Sequence, residues 1–254
     1  MDFLQAILNE DYDAVLGQLT ADCVLDLQSV GTARGQAEAG ALLRKQRDYL
    51  KDQVASPKVF RQFADAGCAV TEYDIALQNG YDLPLVLVSA KAPDYASSGH
   101  FSALRSYHSV YPITGGHEFR AALFTERIQL REPPAVVEYF RSIAVGSTEK
   151  TMATLSFADD VYFREPAGWR WKHSGKDGLR KHFDHFFADG GVPLKFHSYV
   201  YDAETGVFAG EYSCDEWGQA KFKAQAGISI YDIHPDTGKI TGVRVYDNVD
   251  PAYA

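Results

Sequence analysis

The sequence predicts an α+β protein in which two similar halves follow one another. In each half, apolar residues at helical spacing come first, and strand-like segments separated by short turns come after. Short turns favour antiparallel neighbours, and helices gathered ahead of a sheet are typical of the α+β class. Matching residues also recur at a spacing of 137 positions, since Leu42 matches Leu179 (179 − 42) and Ala21-Asp22 matches Ala158-Asp159 (158 − 21).

Length and composition set the limits of this prediction. The 254 residues are 46% hydrophobic and 23% charged, which is ordinary for globular protein and enough for two domains. A net charge of −9 argues against nucleic-acid or anionic-membrane partners. The three cysteines show no CxxC pattern, no basic leader opens the chain, and no apolar run reaches ~18 residues. We therefore expect a cytoplasmic protein with buried thiols at Cys23, Cys68 and Cys214.

In the first half, the apolar pattern predicts three helices. The first begins near Phe3, the second follows Asp11 as its N-cap, and the third spans 36–51. Strands are predicted over 24–30, 58–63, 68–77, 83–89, 101–113 and 118–130.

In the second half, Pro133 and Pro134 break the pattern and predict a domain boundary, giving domains 1–130 and 131–254. Helices follow near Val136 and Met152, and a third begins at Ser174. Strands are predicted over 161–164, 194–202, 206–216, 220–233 and 240–248. Phe124 aligns with Tyr246 at a spacing of only 122 (246 − 124), which predicts about 15 extra residues (137 − 122) within 79–99.

The last predicted strand carries the most informative pattern. Alternation places Val243, Val245 and Asp247 on one face of that strand. A carboxylate in line with two valines lies either at a solvent-exposed end of the strand or in a functional site.

The stretch from Gly238-Lys239-Ile240 to Asp247 resembles the last strand of the SnoaL-like polyketide cyclases. These are relatives of ketosteroid isomerase and scytalone dehydratase in the nuclear transport factor 2-like superfamily. The resemblance covers nearly all of 133–250 and, at the level of pattern, 1–130. It implies two tandem cone-shaped domains, each with N-terminal helices packed in a curved antiparallel sheet around a deep pocket. It also implies an internal pseudo-dimer of the two domains, with a homodimer as a further option.

The same resemblance implies the catalytic residues. Asp247 would be the general acid/base, because an apolar pocket raises the pKa of a carboxyl group. His197 would be a second catalytic group, although no carboxylate stands at 145–147 to pair with it. The alternatives are a solvated carboxylate at a strand end and a partly buried, hydrogen-bonded histidine. In the first half, Thr125 takes the place of Asp247, so we expect no acid/base pair there.

Aromatic residues supply candidate substrate contacts. Trp169 and Trp171 could cover an apolar ligand at the pocket mouth, or they could pin their own loop. Tyr199, Tyr201 and Tyr212 could donate hydrogen bonds to an enolate, or they could be packing residues.

His182 and His185 share a helix face, but no His-Glu-x-x-His motif is present, so we expect a solvated face and no metal. No phosphate loop and no G-x-S-x-G motif is present, and no cofactor is expected.

The leading functional hypothesis is a cofactor-independent cyclase, isomerase or dehydratase. Such an enzyme would act by general acid/base catalysis on an apolar, polyketide-like carbonyl compound. A non-catalytic module that binds an apolar small molecule and a protein-interaction scaffold are the alternatives.

Overall fold

The computed structural model describes residues 2–91, 99–156 and 160–248. The chain divides into two compact units, Met1–Glu118 and Phe119–Ala254, which we call unit 1 and unit 2. This division lies twelve residues before the domain boundary predicted at 130/131. No helix in the described ranges is long and apolar enough to cross a membrane.

Unit 1 begins with helices and continues as a sheet, as the apolar pattern predicts. Asp11 caps its second helix by accepting a hydrogen bond from the backbone N–H of Ala14 at 3.3 Å, which confirms the predicted N-cap. The elements are α1 (Phe3–Leu8), α2 (Tyr12–Leu16), β1 (Leu19–Leu27), β2 (Gly31–Arg34), α3 (Gly35–Lys51), β3 (Val54–Ala64), β4 (Cys68–Leu77), β5 (Asp82–Ala90), β6 (Phe101–His108) and α4 (Tyr111–Thr114).

Unit 2 repeats this order. Ser174 takes the N-cap position of its long helix, although its side chain makes no capping hydrogen bond. The elements are α5 (Pro134–Ala144), α6 (Thr148–Thr154), β7 (Tyr162–Arg164), a 3₁₀ turn (Trp169–Trp171), β8 (Lys172–Ser174), α7 (Gly175–Phe186), β9 (Lys195–Asp202), β10 (Val207–Trp217), β11 (Ala220–Ile233) and β12 (Ile240–Tyr246).

Each unit contains one six-stranded sheet, and the two sheets have the same topology. The strand orders are β2-β1-β6-β5-β4-β3 and β8-β7-β12-β11-β10-β9. The predicted α+β class with helices ahead of the sheet is therefore confirmed, and the four long strands of each unit are antiparallel neighbours as expected. The sheets are not purely antiparallel, because β1 pairs with β6 and β7 with β12 in parallel. In each unit, the last of the four long strands, β6 or β12, lies beside the first strand of that unit, β1 or β7, and runs in the same direction.

Four predicted details are wrong. Short strands β2 and β8 lie in stretches where no strand was predicted. The strand predicted over 101–113 ends at His108, and Tyr111–Thr114 form α4. Residues 118–130 form no strand of the unit 1 sheet, and Ala121 instead bridges to Gln225 in unit 2. The 137-residue spacing is not constant, because the first helices start 131 positions apart (134 − 3) and the long helices 140 apart (175 − 35). Residues 157–159, which include part of the Ala158-Asp159 match, lie outside the described ranges. The same holds for 92–98, which are part of the predicted insertion.

The core of unit 2 lies between its sheet and its helices. On α5, Tyr139 contacts Tyr231 of β11 and Phe183 of α7, with ring centroids 5.3 and 6.2 Å apart. Val243 of β12 belongs to the same buried cluster. We call this the helix-covered face of the unit 2 sheet. Alternation places Arg244 on the opposite face, where its guanidinium donates to Asp232.

Candidate functional site

A cavity of about 130 Å³ opens on the helix-covered face of unit 2. We call it the unit 2 cavity. Its lining is mainly apolar and aromatic, with few polar groups, which is the usual make-up of a small-molecule site. The lining residues are Tyr139, Ile143, Phe163, Glu165, Pro166, His182, Phe186, Val192, Leu194, Tyr212, Cys214, Trp217, Phe222, Gln225, Ala226, Ser229, Tyr231, Val245 and Asp247.

Asp247 lies directly after β12 and faces this cavity together with Val245. The alternation read from the sequence therefore places the carboxylate on the apolar side, as expected. The hydroxyl of Tyr212, on β10, donates a hydrogen bond to Oδ2 of Asp247 at 2.9 Å. Gly227 lies opposite Tyr212 on β11 and has no side chain to displace the ring. The carboxylate is thus held by a phenol within a mostly apolar wall.

Burial fixes the protonation of two cavity groups. It raises the pKa of Tyr212 well above its usual value, and the nearby charge of Asp247 adds to the effect. Tyr212 therefore stays protonated and acts as a hydrogen-bond donor. Burial also raises the pKa of the Cys214 thiol to about 12, so this cysteine is a neutral lining group rather than a thiolate nucleophile.

A second polar group in the lining is formed by Glu165, His173 and His182. Glu165 follows β7 and is 4% exposed, and its Oε1 lies within hydrogen-bond distance of Nε2 of His173, at 2.6 Å. His182, on α7, is 2% exposed, and its Nδ1 lies 3.7 Å from the same oxygen. The rings of His173 and His182 stack with centroids 4.2 Å apart. Glu165 and His182 line the cavity directly.

His182 is a neutral imidazole at physiological pH. Burial, with smaller contributions from the neighbouring His173 and His185, lowers the pKa of His182 to about 3. Its contact with Glu165 is therefore not an ion pair. The expected solvated face holds for His185, which is exposed, but is wrong for His182 because Phe163 and Phe186 pack around its ring.

The same three side chains are compact enough to be considered as metal ligands. Their candidate ligand atoms all lie within 4.8 Å of one another. A nitrogen lone pair lies in the plane of its ring, however, and the two imidazoles stack at an interplanar angle of 25°. Both rings cannot direct a lone pair to one ion in this arrangement. The arrangement therefore favours hydrogen bonding and proton exchange.

His197 is not where the resemblance implied. Its Nε2 lies 2.9 Å from Oγ of Ser213, its ring stacks on Phe124, and its Nδ1 contacts the carbonyl oxygen of Glu126. Ser213 and Tyr212 are adjacent on β10 and point to opposite faces. His197 thus lies on the opposite face from Asp247, and the expected shared pocket of these two residues is wrong.

Among the aromatic candidates, Tyr212 lines the unit 2 cavity, but the other four do not occur in its described lining. Tyr199 stacks on Phe208 with centroids 5.6 Å apart, and Tyr201 packs against the core. Trp171 is buried and accepts a hydrogen bond from the backbone N–H of Glu165 at 3.2 Å through its carbonyl oxygen. Trp169 contacts the ring of Tyr162, at a centroid distance of 5.7 Å. The alternative of a loop pinned by its own indoles fits this geometry better than a pocket mouth.

Glu165 and His173 were missed by the sequence analysis. Their proximity depends on the β7–β8 hairpin, which pairs Phe163 with His173. A three-residue strand has too few alternating positions to be recognised. Once that hairpin is known, the acidic residue after β7 and the histidine on β8 are neighbours.

Unit 1 has a different group at the position of Asp247. When the two sheets are aligned by their strand pairing, Ala103 of β6 takes the same position as Gly242 of β12. His108 lies five residues after Ala103, and Asp247 lies five after Gly242 (108 − 103 = 247 − 242). His108 therefore corresponds to Asp247, and the expected counterpart, Thr125, belongs to unit 2. His108 is fully buried, and its Nε2 lies 3.4 Å from the hydroxyl of Tyr49.

Comparison with known proteins gives a family match in unit 1. Residues 1–88 match the model of the limonene-1,2-epoxide hydrolase catalytic domain. The comparison with curated proteins gives no significant match.

Among solved structures, an epoxide hydrolase of M. tuberculosis that is similar to this family is 28% identical. It aligns over 43% of this chain and 78% of its own, with a TM-score of 0.32. An NTF2-like protein from Burkholderia xenovorans is 23% identical over 41% of this chain and 73% of its own, with a TM-score of 0.31. An epoxide hydrolase/cyclase-like enzyme of pyran ring formation in salinomycin is 15% identical over 46% and 90%, with a TM-score of 0.38. NTF2-like is short for nuclear transport factor 2-like, the superfamily of the polyketide cyclases whose last strand the stretch from Gly238 to Asp247 resembles.

Proposed function

We propose that the unit 2 cavity is the active site of a cofactor-independent acid/base enzyme. Its substrate would be a small, apolar carbonyl compound, and its reaction would be of the cyclase, isomerase or dehydratase type. The observation that carries this proposal is the Asp247 carboxylate, which faces an apolar cavity and is held by the hydroxyl of Tyr212. The family match to a catalytic domain supports an enzyme, although it lies in unit 1.

The chemistry follows from the surroundings of the carboxylate. Asp247 removes a proton from the carbon next to the carbonyl group, and the C–H electron pair moves into an enolate. An apolar lining disfavours the charged form of a carboxyl group, and this property suits Asp247 to take up a proton. Tyr212 remains protonated and keeps the carboxylate in one orientation through the 2.9 Å hydrogen bond.

The size of the cavity narrows the substrate class. A cavity of ~150 Å³ in another protein holds benzene. At about 130 Å³, the unit 2 cavity suits a compound with about one six-membered ring. We therefore propose a one-ring carbonyl compound rather than an extended polyketide chain.

A non-catalytic binding module is the second candidate. The predominance of apolar lining residues favours it, because such a cavity holds a ring without any chemistry. The two candidates differ in one respect, which is whether Asp247 exchanges protons with a bound ketone.

Proton exchange at a ketone tests the proposal directly. Cyclohexanone in D₂O is a one-ring probe, and proton NMR follows the replacement of its α-hydrogens by deuterium. We expect Asp247→Asn to slow the exchange catalysed by the protein by ~10²–10⁴-fold, because one general base is lost without a change of shape. Asp236→Asn, an exposed acid in the turn before β12, is the matched control and should change nothing. Exchange at the wild-type rate in Asp247→Asn would leave ligand binding as the better account.

A further inference from the structure

We propose that Glu165, oriented by His173, is a second acid/base group of the unit 2 cavity and delivers a proton to a substrate oxygen. This inference rests on the proposed function, since Asp247 is taken as the group that removes the proton from carbon. It assigns Glu165 as a catalytic residue and His173 as a positioning residue. It also narrows the substrate to a ring compound that carries a hydroxyl group β to its carbonyl.

The position of Glu165 carries the inference. Its side chain lines the cavity and is almost fully buried, and a carboxyl group in such a place requires a partner. His173 supplies that partner at 2.6 Å, and the pairing of β8 with β7 fixes the histidine beside it. The backbone N–H of Glu165 is held by the carbonyl oxygen of Trp171 at 3.2 Å. Both its main chain and its carboxyl group are thus preorganised.

The remaining groups nearby identify the proton that can be transferred. His182 contacts the same carboxyl oxygen, but burial lowers its pKa to about 3, so it carries no extra proton at neutral pH. His185 lies one turn along α7 and points to solvent. The proposal assigns the transferable proton to the contact between Oε1 of Glu165 and Nε2 of His173, which at 2.6 Å is the shorter of the two histidine contacts of this carboxyl group. The cavity meets this proton through Glu165, because His173 is not part of the described lining.

Two acid/base groups in one cavity allow an elimination. Asp247 takes the proton from the carbon next to the carbonyl group, and the C–H electron pair forms the new carbon–carbon double bond. The bond from the β-carbon to its oxygen breaks, and that oxygen takes the proton of the Glu165–His173 pair and leaves as water. The products are an enone and water. Asp247 then gives its proton to solvent and the Glu165–His173 pair takes one up, so no proton is gained or lost overall.

A single probe separates this inference from the proposed function. 3-Hydroxycyclohexanone has one ring and a β-hydroxyl group, and the full chain is used in D₂O. Deuterium exchange at the α-carbon, followed by NMR, requires the base alone. Formation of cyclohexenone, followed by its absorbance, requires both the base and the acid.

The variants should affect the two readouts differently. Glu165→Gln should slow enone formation by ~10²–10⁴-fold and slow α-exchange by a much smaller factor, because exchange does not require the acid. Asp247→Asn should slow both by a similar factor. His173→Gln should slow enone formation and change its pH profile, while the pH profile of α-exchange stays the same. His185→Gln, an exposed histidine on the same helix, is the matched control and should change neither readout.

The outcomes are distinguishable. The inference would be overturned if Glu165→Gln forms the enone at the wild-type rate, or if that variant loses both readouts equally. It would also be overturned if the wild-type chain catalyses α-exchange but forms no enone. In the last case, the proposed function would still stand on the exchange. If the wild-type chain catalyses no α-exchange, both fall. Circular dichroism establishes that each variant is folded, and His173→Gln gives the same test if Glu165→Gln does not fold.

Discussion

His182 shows how the surroundings of one residue set its charge. Its ring lies 4.3 Å from that of Phe163 and 4.2 Å from that of His173, and only 2% of the residue is exposed. A protonated imidazole would lose its hydration there, so burial lowers the pKa of His182 from 6.5 to about 3. Between these two values, the unfolded chain binds a proton that the folded chain does not. The contribution of this residue to the free energy of unfolding is therefore fully present above pH 6.5 and is lost as the pH falls towards 3.

Replacing His182 should remove this dependence on pH. At pH 5, which is about 1.5 pH units below 6.5, this residue should lower the free energy of unfolding of the wild-type chain by ~2 kcal/mol relative to pH 7. The figure follows from about 1.36 kcal/mol for each pH unit. His182→Phe keeps a ring of similar shape and cannot be protonated. Between pH 7 and pH 5, we expect the free energy of unfolding measured in urea to fall by ~2 kcal/mol more in the wild-type chain than in the variant. The comparison of the two chains cancels the effect of the other titrating groups, because both chains share them. An equal loss in both chains would contradict a depressed pKa of His182, and His185→Gln should follow the wild type.

The residues that could be predicted from the sequence are those that depend on local alternation. Asp247 shares a face with Val243 and Val245, and strand geometry alone places it on the apolar side. The location of His197 depends on the sheet register and on a bulge at this position of β9, since Glu211 pairs with Ser198 but Tyr212 pairs with Phe196. One residue of slip turns a side chain to the other face, so a histidine at the start of a strand is not placed by pattern alone.

At the scale of elements, the pairing of β10 with β11 holds the Asp247 site together. Tyr212 and Gly227 are directly opposite each other, and a Cβ atom added at Gly227 would lie 2.6 Å from Cζ of the tyrosine. The glycine therefore provides the space in which the phenol reaches the carboxylate.

Gly227→Ala should push Tyr212 away from Asp247. Overpacking of this kind costs ~1–3 kcal/mol of folding stability, and the loss of the hydrogen bond to the carboxylate should also slow α-exchange. Gly178→Ala on α7 is the matched control, because no atom beyond the neighbouring residues and backbone of α7 lies within 4 Å of the new methyl group, and alanine favours helix. Urea unfolding and the cyclohexanone exchange assay measure the two effects. If Gly227→Ala and Gly178→Ala are equally stable and active, close packing at Gly227 does not position the tyrosine.

The elements that could be predicted from the sequence were the long ones. Helix α3 was expected over 36–51 and spans Gly35–Lys51, because its apolar residues repeat over four turns. Strands β2 and β8 were missed because three or four residues give no measurable period. Residues 118–130 alternate like a strand, yet the backbone N–H of Ala122 bonds to Ala224 and that of Ile128 bonds to Phe196, both in unit 2. Alternation predicts an extended chain but does not identify its partner.

At the scale of the whole molecule, one topology carries two different sets of side chains. Both units place a long helix over a six-stranded sheet with one parallel pair, so the repeated layout follows from the order of apolar segments. The polar groups of the candidate site do not repeat. In unit 2, Asp247 accepts a hydrogen bond from Tyr212 of β10, whereas in unit 1 the matching position holds His108, which lies beside Tyr49 of α3. The family match lies in unit 1, and the cavity described above lies in unit 2.

This asymmetry leads to a prediction that compares the two units within the full chain. His108→Gln replaces the buried imidazole and loses its contact with Tyr49, which should destabilise the protein by ~1–2 kcal/mol in urea unfolding. It should leave α-exchange of cyclohexanone within about twofold of wild type, because His108 takes no part in the unit 2 cavity. Asp247→Asn should do the reverse, with a large loss of exchange and a small change in stability. If His108→Gln abolishes exchange while Asp247→Asn retains it, the chemistry belongs to unit 1, the half of the chain that matches a catalytic domain.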